Sequence, residues 1–184
     1  VDLNKLETVL KNNSAEKIPC IVITITNNTA GGQPVSMENL RGVRMLADKY
    51  GVRLFIDSAR FAENAWFIKS REAGYSNKSI REIVREMFSY ADGMTMSSKK
   101  DAIVNMGGFI GFRDEDLFRK ASGFNIIYEG FITYGGMSGR DMNALAQGLY
   151  EGTEEQYLES RIGQVAYLGS KMRESGIPVL EPFG

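Results

Sequence analysis

Residues 20–26, Cys-Ile-Val-Ile-Thr-Ile-Thr, are β-branched at every position after the first. Such side chains are stiff about χ1 and favour the extended chain over the helix. The run has too few polar positions for a strand with one wet face, so it predicts a strand buried on both sides, as in a parallel sheet. Asn27-Asn-Thr-Ala-Gly-Gly32 ends it. Ser36 is placed to cap a helix running to about Tyr50, with Leu40, Val43, Leu46 and Ala47 on one face and Gly51 as its stop. Val52 to Ile56 then reads as a second short apolar strand ending at Asp57. Strand, helix and strand within about forty residues is the right-handed βαβ unit. The fold class that follows is α/β, a mostly parallel sheet flanked by helices.

The pattern continues. Phe61 to about Ala73 is helical and aromatic, with Trp66 and Phe67 adjacent, and Ser79-Ile-Arg-Glu82 is a capping box opening a helix to about Phe88. Met94 to Ser97 is a third strand, followed by Ser98-Lys99-Lys100-Asp101 and a hairpin-like pair around Asn105-Met-Gly-Gly108. Beyond Asp114 a short helix is expected, then an apolar segment Asn125–Tyr128, a Gly-rich turn through Gly139, and helices near 140–150 and 154–175. The last helix carries Tyr157, Ile162, Val165 and Leu168, and Ile177-Pro-Val179 is expected to begin a further strand. The first residue is Val1 and the last are Glu181-Pro182-Phe183-Gly184, so the chain is expected to be a piece of a larger protein.

Composition removes whole classes of chemistry. There is no histidine, which excludes His-based triads and HExxH zinc sites, and the single Cys20 excludes an internal disulfide. A net charge of −1 gives no uniform field to attract nucleic acid or an anionic membrane. No apolar run reaches the 18 or more residues of a membrane span and the start lacks a signal-peptide pattern, so a cytoplasmic location is expected.

Ligands of open α/β sheets bind off the carboxyl ends of the strands. Three polar clusters fall there: Asn28, Asp57-Ser58-Ala59-Arg60, and Ser97-Ser98-Lys99-Lys100. Each has a plain alternative. Asp57 could cap the helix from Phe61, Arg60 could form an ordinary ion pair, and the two lysines could sit on a solvated turn. Without histidine, a lysine amine bound to pyridoxal phosphate is a good candidate for the chemistry: the amine holds the cofactor, a carboxylate keeps its pyridine nitrogen protonated, and hydroxyls or basic groups take the phosphate. No GxGxxG or GxxxxGK[ST] motif supports the competing nucleotide-binding reading.

Five segments sharpen this reading: Asn28-Thr-Ala-Gly-Gly-Gln-Pro-Val-Ser36, Asp57-Ser-Ala-Arg-Phe-Ala-Glu-Asn-Ala65, Ser97-Ser-Lys-Lys-Asp101, Asn105-Met-Gly-Gly108 and Glu129-Gly-Phe-Ile-Thr-Tyr-Gly-Gly136. In them the chain resembles the β-eliminating lyases, the family of tryptophanases and tyrosine phenol-lyases, over essentially its whole length. The resemblance implies an aspartate-aminotransferase-like fold, of which residues 1–184 are the central part of the cofactor-binding large domain, without the small domain. It implies a homotetramer that depends on pyridoxal phosphate and is activated by a monovalent cation, usually potassium. Lys100 would carry the cofactor, Lys99 and Ser97 would contact its phosphate, Asp57 its pyridine nitrogen, and Asn28 and Arg60 its 3-hydroxyl. Asn105 would offer a backbone carbonyl to the cation, and Tyr134 would stand near the active-site interface. Asp57-Ser-Ala-Arg-Phe61 and Lys99-Lys-Asp-Ala102, and with them Glu129-Gly-Phe131 and Thr133-Tyr-Gly135, resemble the tryptophan-cleaving members, which implies L-tryptophan split to indole, pyruvate and ammonia. Met96, Asn105 and the Glu86–Ala91 run resemble the phenol-lyases, and the residues that select the leaving group are expected to lie outside the chain. A non-catalytic α/β scaffold is the alternative of another class.

Overall fold

Three apolar runs become parallel strands in the structure, a computed structural model that describes residues 1–184 apart from the side chains of Ala15 and Ala30. Strand β1 is Cys20–Thr24, β2 is Arg53–Asp57 and β3 is Gly93–Ser97, with β1 parallel to β2 and β2 parallel to β3. Strand β4, Gly108–Phe112, runs antiparallel to β3 and completes a mixed four-stranded sheet in the order β1-β2-β3-β4. Thr24 pairs with Asp57 and Asp57 with Thr95, so the carboxyl ends of the parallel strands lie level.

The helices are α1 Leu3–Asn12, α2 Met37–Tyr50, α3 Phe61–Arg71, α4 Ile80–Ser89, α5 Glu115–Tyr128, α6 Gly139–Glu151 and α7 Glu155–Glu174. Local chemistry sets several of their ends. Ser36 accepts a hydrogen bond from the Asn39 amide at the start of α2, and Gly51 closes that helix with φ 65°. Ser79 and Glu82 form the anticipated capping box of α4. Ile21, Ile23, Leu54, Ile56 and Met96 point to one face of the sheet and join α2, α3 and α4 side chains, such as Leu40, Val43, Ile68 and Ile83, in one buried core.

The structure departs from the sequence reading in four places. Strand β1 is not buried on both sides: Ile21 and Ile23 are buried, while Val22 between them is 59% exposed. The core helices cover one face, and β1 lies at the edge of the sheet. Asn125–Tyr128 is no separate segment but the last turn of a 14-residue α5, none of whose side chains is buried. Residues 177–179 form no strand, and of the anticipated α7 contacts Ile162 is buried whereas Val165 and Leu168 stay exposed. Helix α1, capped by Asp2 accepting from the Lys5 amide, was not anticipated.

Leu54 on the central β2 is fully buried, so Leu54→Ala should destabilise the fold by about 2–5 kcal/mol. Val22→Thr on the open face keeps the β-branched shape and should change stability by no more than about 0.5 kcal/mol. Urea denaturation of the two variants side by side checks the assignment of the two faces.

Candidate active site

The level strand ends bring the polar clusters together. Asp57 terminates β2, and its carboxylate accepts a hydrogen bond from the Thr24 hydroxyl on β1 at 3.3 Å. Because Asp57 pairs with Thr95 and side chains alternate, Ser97 projects to the same face as Asp57. Strand spacing and rise put their Cα atoms roughly 8 Å apart. The Lys100 amine donates to the Ser97 hydroxyl at 3.3 Å.

A small polar recess of about 200 Å³ is lined by Arg60, Glu63, Lys99, Lys100, Asp101, Tyr157 and Arg161. Exposed Lys99 also lines a larger open cleft of about 1070 Å³, between β3, β4, α5 and the 129–145 segment, to which Ser97 and Tyr134 contribute. Arg60, Lys99 and Lys100 are thus gathered in the recess and Ser97 meets them through Lys100, while Asp57, at the neighbouring strand end, lines neither recess nor cleft. Three further anticipated residues are not gathered with them. Asn28 is exposed in a 3-10 turn after β1, Asn105 is exposed in the β3–β4 connection, and neither lines the recess or the cleft. Tyr134 is 44% exposed and lines the cleft, not the recess that holds Lys100.

The structure rejects helix capping as the role of Asp57. Helix α3 begins after Arg60, which makes no side-chain cap hydrogen bond. The amides of Ala62 and Glu63 instead donate to Asp101, at 2.7 and 3.0 Å. Asp101 is only 6% exposed, and burial, followed by the nearby Glu63 charge, pushes its carboxyl up to about 7. The two amide bonds and Arg60 pull the other way. Burial also raises the Tyr157 hydroxyl.

The backbone around the lysines is strained. Thr26 and Ile103, both β-branched, occupy the left-handed region with φ 47° and 55°. Such residues cost about 1–3 kcal/mol each and persist where surrounding bonds hold them. Thr26 donates its hydroxyl to the Arg60 carbonyl, and the Ile103 amide donates to the Lys100 carbonyl.

The donor set fits pyridoxal phosphate. A lysine amine, a carboxylate on the same sheet face as Ser97, two further cations and a hydroxyl match an aldehyde, a pyridine nitrogen and a phosphate in kind. Asp101, Glu63, Tyr157 and Arg161 were not anticipated as part of this recess. The one signal for Asp101 was a helix opening on Arg60-Phe61 without a capping residue of its own.

Fold and site together define an α/β protein with a lysine-bearing turn at the carboxyl edge of its parallel strands. The chain belongs to the β-eliminating lyase family, whose model matches residues 1–181, and pyridoxal phosphate is the cofactor that the family implies. A probable β-eliminating lyase of Trichomonas vaginalis is 62% identical over all 184 residues, which are 40% of its length. Tyrosine phenol-lyase of Clostridium tetani and tryptophanase of Salinibacter ruber are each 52% identical over the whole chain, which spans 40% and 39% of them. The chain therefore covers well under half of these curated relatives. Among solved structures, a protein assigned as an L-allo-threonine aldolase from Listeria monocytogenes shares the fold with TM-score 0.63 at 19% identity, over 84% of this chain and 38% of that one.

Asp101 gives the fold a pH dependence of defined sign. Its carboxyl binds a proton more tightly in the folded chain, up to about 7, than at its ordinary 3.8. Its contribution is therefore fully present below about 4 and lost as the pH rises through about 7. Thermal unfolding of wild type against Asp101→Asn across pH 4–8 should show this downward slope removed in the variant.

Proposed function

We propose that this chain is the central part of the cofactor-binding domain of a longer pyridoxal-phosphate-dependent lyase that cleaves an aromatic L-amino acid by α,β-elimination, with L-tryptophan giving indole, pyruvate and ammonia. The observation that carries the reading is the Lys100 amine held at 3.3 Å from Ser97, with Asp57 on the same face of the neighbouring parallel strand. Pyridoxal phosphate, when bound, supplies a sink for the electron pair left on the substrate Cα. Lys100 would hold the cofactor through its amine, and Nζ, when free, would take the substrate's α-proton. Asp57 holds a proton on the pyridine nitrogen through its negative charge. Ser97 and Lys99 would bind the phosphate and Arg60 would hold the 3-hydroxyl, with Asn28, which lies outside both the recess and the cleft, as its proposed second partner, and Tyr134 would stand at the cleft.

L-tyrosine is the second reading, because relatives of equal identity carry either activity in their names. Of the residues that favour tryptophan in the motifs, Phe61 at 6% exposed and Ala102 fully buried lie away from the cavities, whereas Glu129, Thr133 and Tyr134 line the cleft. The same reading includes a homotetramer with a monovalent cation such as potassium at the Asn105 carbonyl. Exposed Phe124, Ile127, Tyr128 and Phe131, between 59% and 76% accessible, support cover from further polypeptide or neighbouring subunits.

In the complete enzyme, Lys100→Ala should lower elimination by at least about 1000-fold, ~4 kcal/mol, and abolish borohydride-stable attachment of the cofactor. Asp57→Asn should retain the cofactor while α-proton exchange with solvent falls by at least about 100-fold, ~2.7 kcal/mol. Unchanged exchange at full occupancy removes Asp57 from the mechanism. Indole from L-tryptophan or phenol from L-tyrosine decides the substrate. The isolated 184-residue chain mixed with cofactor should release neither, since orientation contributes about 7–11 kcal/mol of such barriers and the chain is proposed to supply only part of the site.

A further inference from the structure

The first amides of a helix have no partner within the helix. In α3 this falls directly beside the candidate site, because the helix starts one residue after Arg60 and four after Asp57. Asp101 satisfies two of these amides, Ala62 and Glu63, from 39 and 38 residues away, and its own amide donates to the Ala59 carbonyl at 3.3 Å. Three hydrogen bonds thus tie the residue after Lys100 to the segment after Asp57.

Helix α6 closes the other side. A Cβ on Gly148 would lie 1.8 Å from the Ala102 carbonyl oxygen, and one on Gly152 would lie 2.0 Å from that of Asp101. Both contacts are far below any real Cβ approach, so the backbone of residues 101 and 102 rests directly on the end of α6. The strained Ile103 follows at once. The lysine-bearing turn is wedged between two helices, and Asp101 is its bond to the one that carries the opposite half of the site.

We infer that Asp101 is a positioning residue: its carboxylate clamps the Lys99–Lys100 turn to the N-terminus of α3 and so fixes the Lys100 amine relative to Asp57 and Arg60. The inference rests on the assignment of Lys100 as the cofactor lysine. One carboxylate oxygen receives both amides. The clamp therefore needs an acceptor at this reach rather than a charge, which Asn preserves, Ala removes and Glu displaces by one methylene. A misplacement of about 1 Å at a reacting group can cost about 100-fold in rate, which sets the scale of the effect.

The test uses the complete enzyme with Asp101→Asn, Asp101→Ala, Asp101→Glu and Lys100→Ala. Three quantities are read: amide exchange at Ala62 and Glu63, the rate at which apoenzyme acquires borohydride-reducible cofactor, and kcat and KM per loaded site. Asp101→Ala should speed exchange at both amides, slow cofactor capture by at least about 10-fold and lower kcat by about 100-fold with KM little changed. Asn should restore capture and kcat. Glu, which keeps an acceptor and a charge, should leave the protein folded yet capture cofactor slowly, so the inference stays testable even if the Ala variant does not fold. Normal capture and kcat in folded Ala or Glu variants would reduce Asp101 to a helix cap and overturn the inference. An Asn variant as defective as Ala would overturn it too, by showing that charge is what matters. Reducible cofactor retained in Lys100→Ala overturns the parent assignment instead, whereas its loss alongside normal Asp101 variants overturns the clamp alone.

Discussion

The parallel pairing of β1, β2 and β3 is the constraint on which the rest of the structure depends. Its register is held from the helix side of the sheet. Side chains on a strand alternate, so a slip of β2 by one residue would turn Leu54 and Ile56 out of the core and drive Arg53 and Asp57 into it. Each large aliphatic side chain gains about 1.5–3 kcal/mol from full burial, and an unpaired charge in the core costs more. The slip is forbidden, and the same prohibition keeps Asp57 on the open face, level with Thr24 and Thr95 and one alternation from Ser97. The geometry of the site is a by-product of core packing.

Two carboxylates, one partly and one almost fully buried, show how differently the chain treats charge. Glu86 on α4 receives hydrogen bonds from Arg41, Tyr75 and Lys78, and although burial opposes ionisation these donors hold its carboxyl down at about 2. Burial and the same carboxylate push the Tyr75 hydroxyl up to about 12. That cluster ties α2 to α4 and the loop between α3 and α4, and it stays ionised through any ordinary pH. Asp101 has only backbone amides for direct partners and has Glu63 nearby, so burial prevails and its carboxyl rises. The difference lies in the partners: side-chain donors hold one carboxylate ionised, while burial without a cationic hydrogen-bond partner raises the other.

Much of the fold was legible because its signals are local. Ser36 and Gly51 bound α2, and the Ser79–Glu82 box opens α4, each through contacts within a few residues. Asp57, Ser97 and Lys100 were legible as strand ends and the turn that follows. The misses have different physical origins. Asn125–Tyr128 reads as a segment apart from the short helix beyond Asp114, yet α5 carries Gly123 in its interior, at about 1 kcal/mol against alanine, and continues to Tyr128. The exposed Val22 shows that a β-branched run reports fitness for burial and not what covers the strand. The Asp101 cap joins residues nearly forty positions apart, and only the fold brings them together.

Two of the motif residues on which the proposed tryptophan reading rests, Phe61 and Ala102, sit on the same wedge. Phe61 is the first residue of α3 and packs against Phe88 with ring centroids 6.2 Å apart. Ala102 follows the clamp residue and lies fully buried against Gly148 of α6. Neither lines the recess or the cleft. A larger or differently shaped side chain at either position acts on how the lysine turn seats between α3 and α6, because a close-packed interior transmits a change of even one methylene. These positions therefore bear on how the lysine-bearing turn is seated between the two helices.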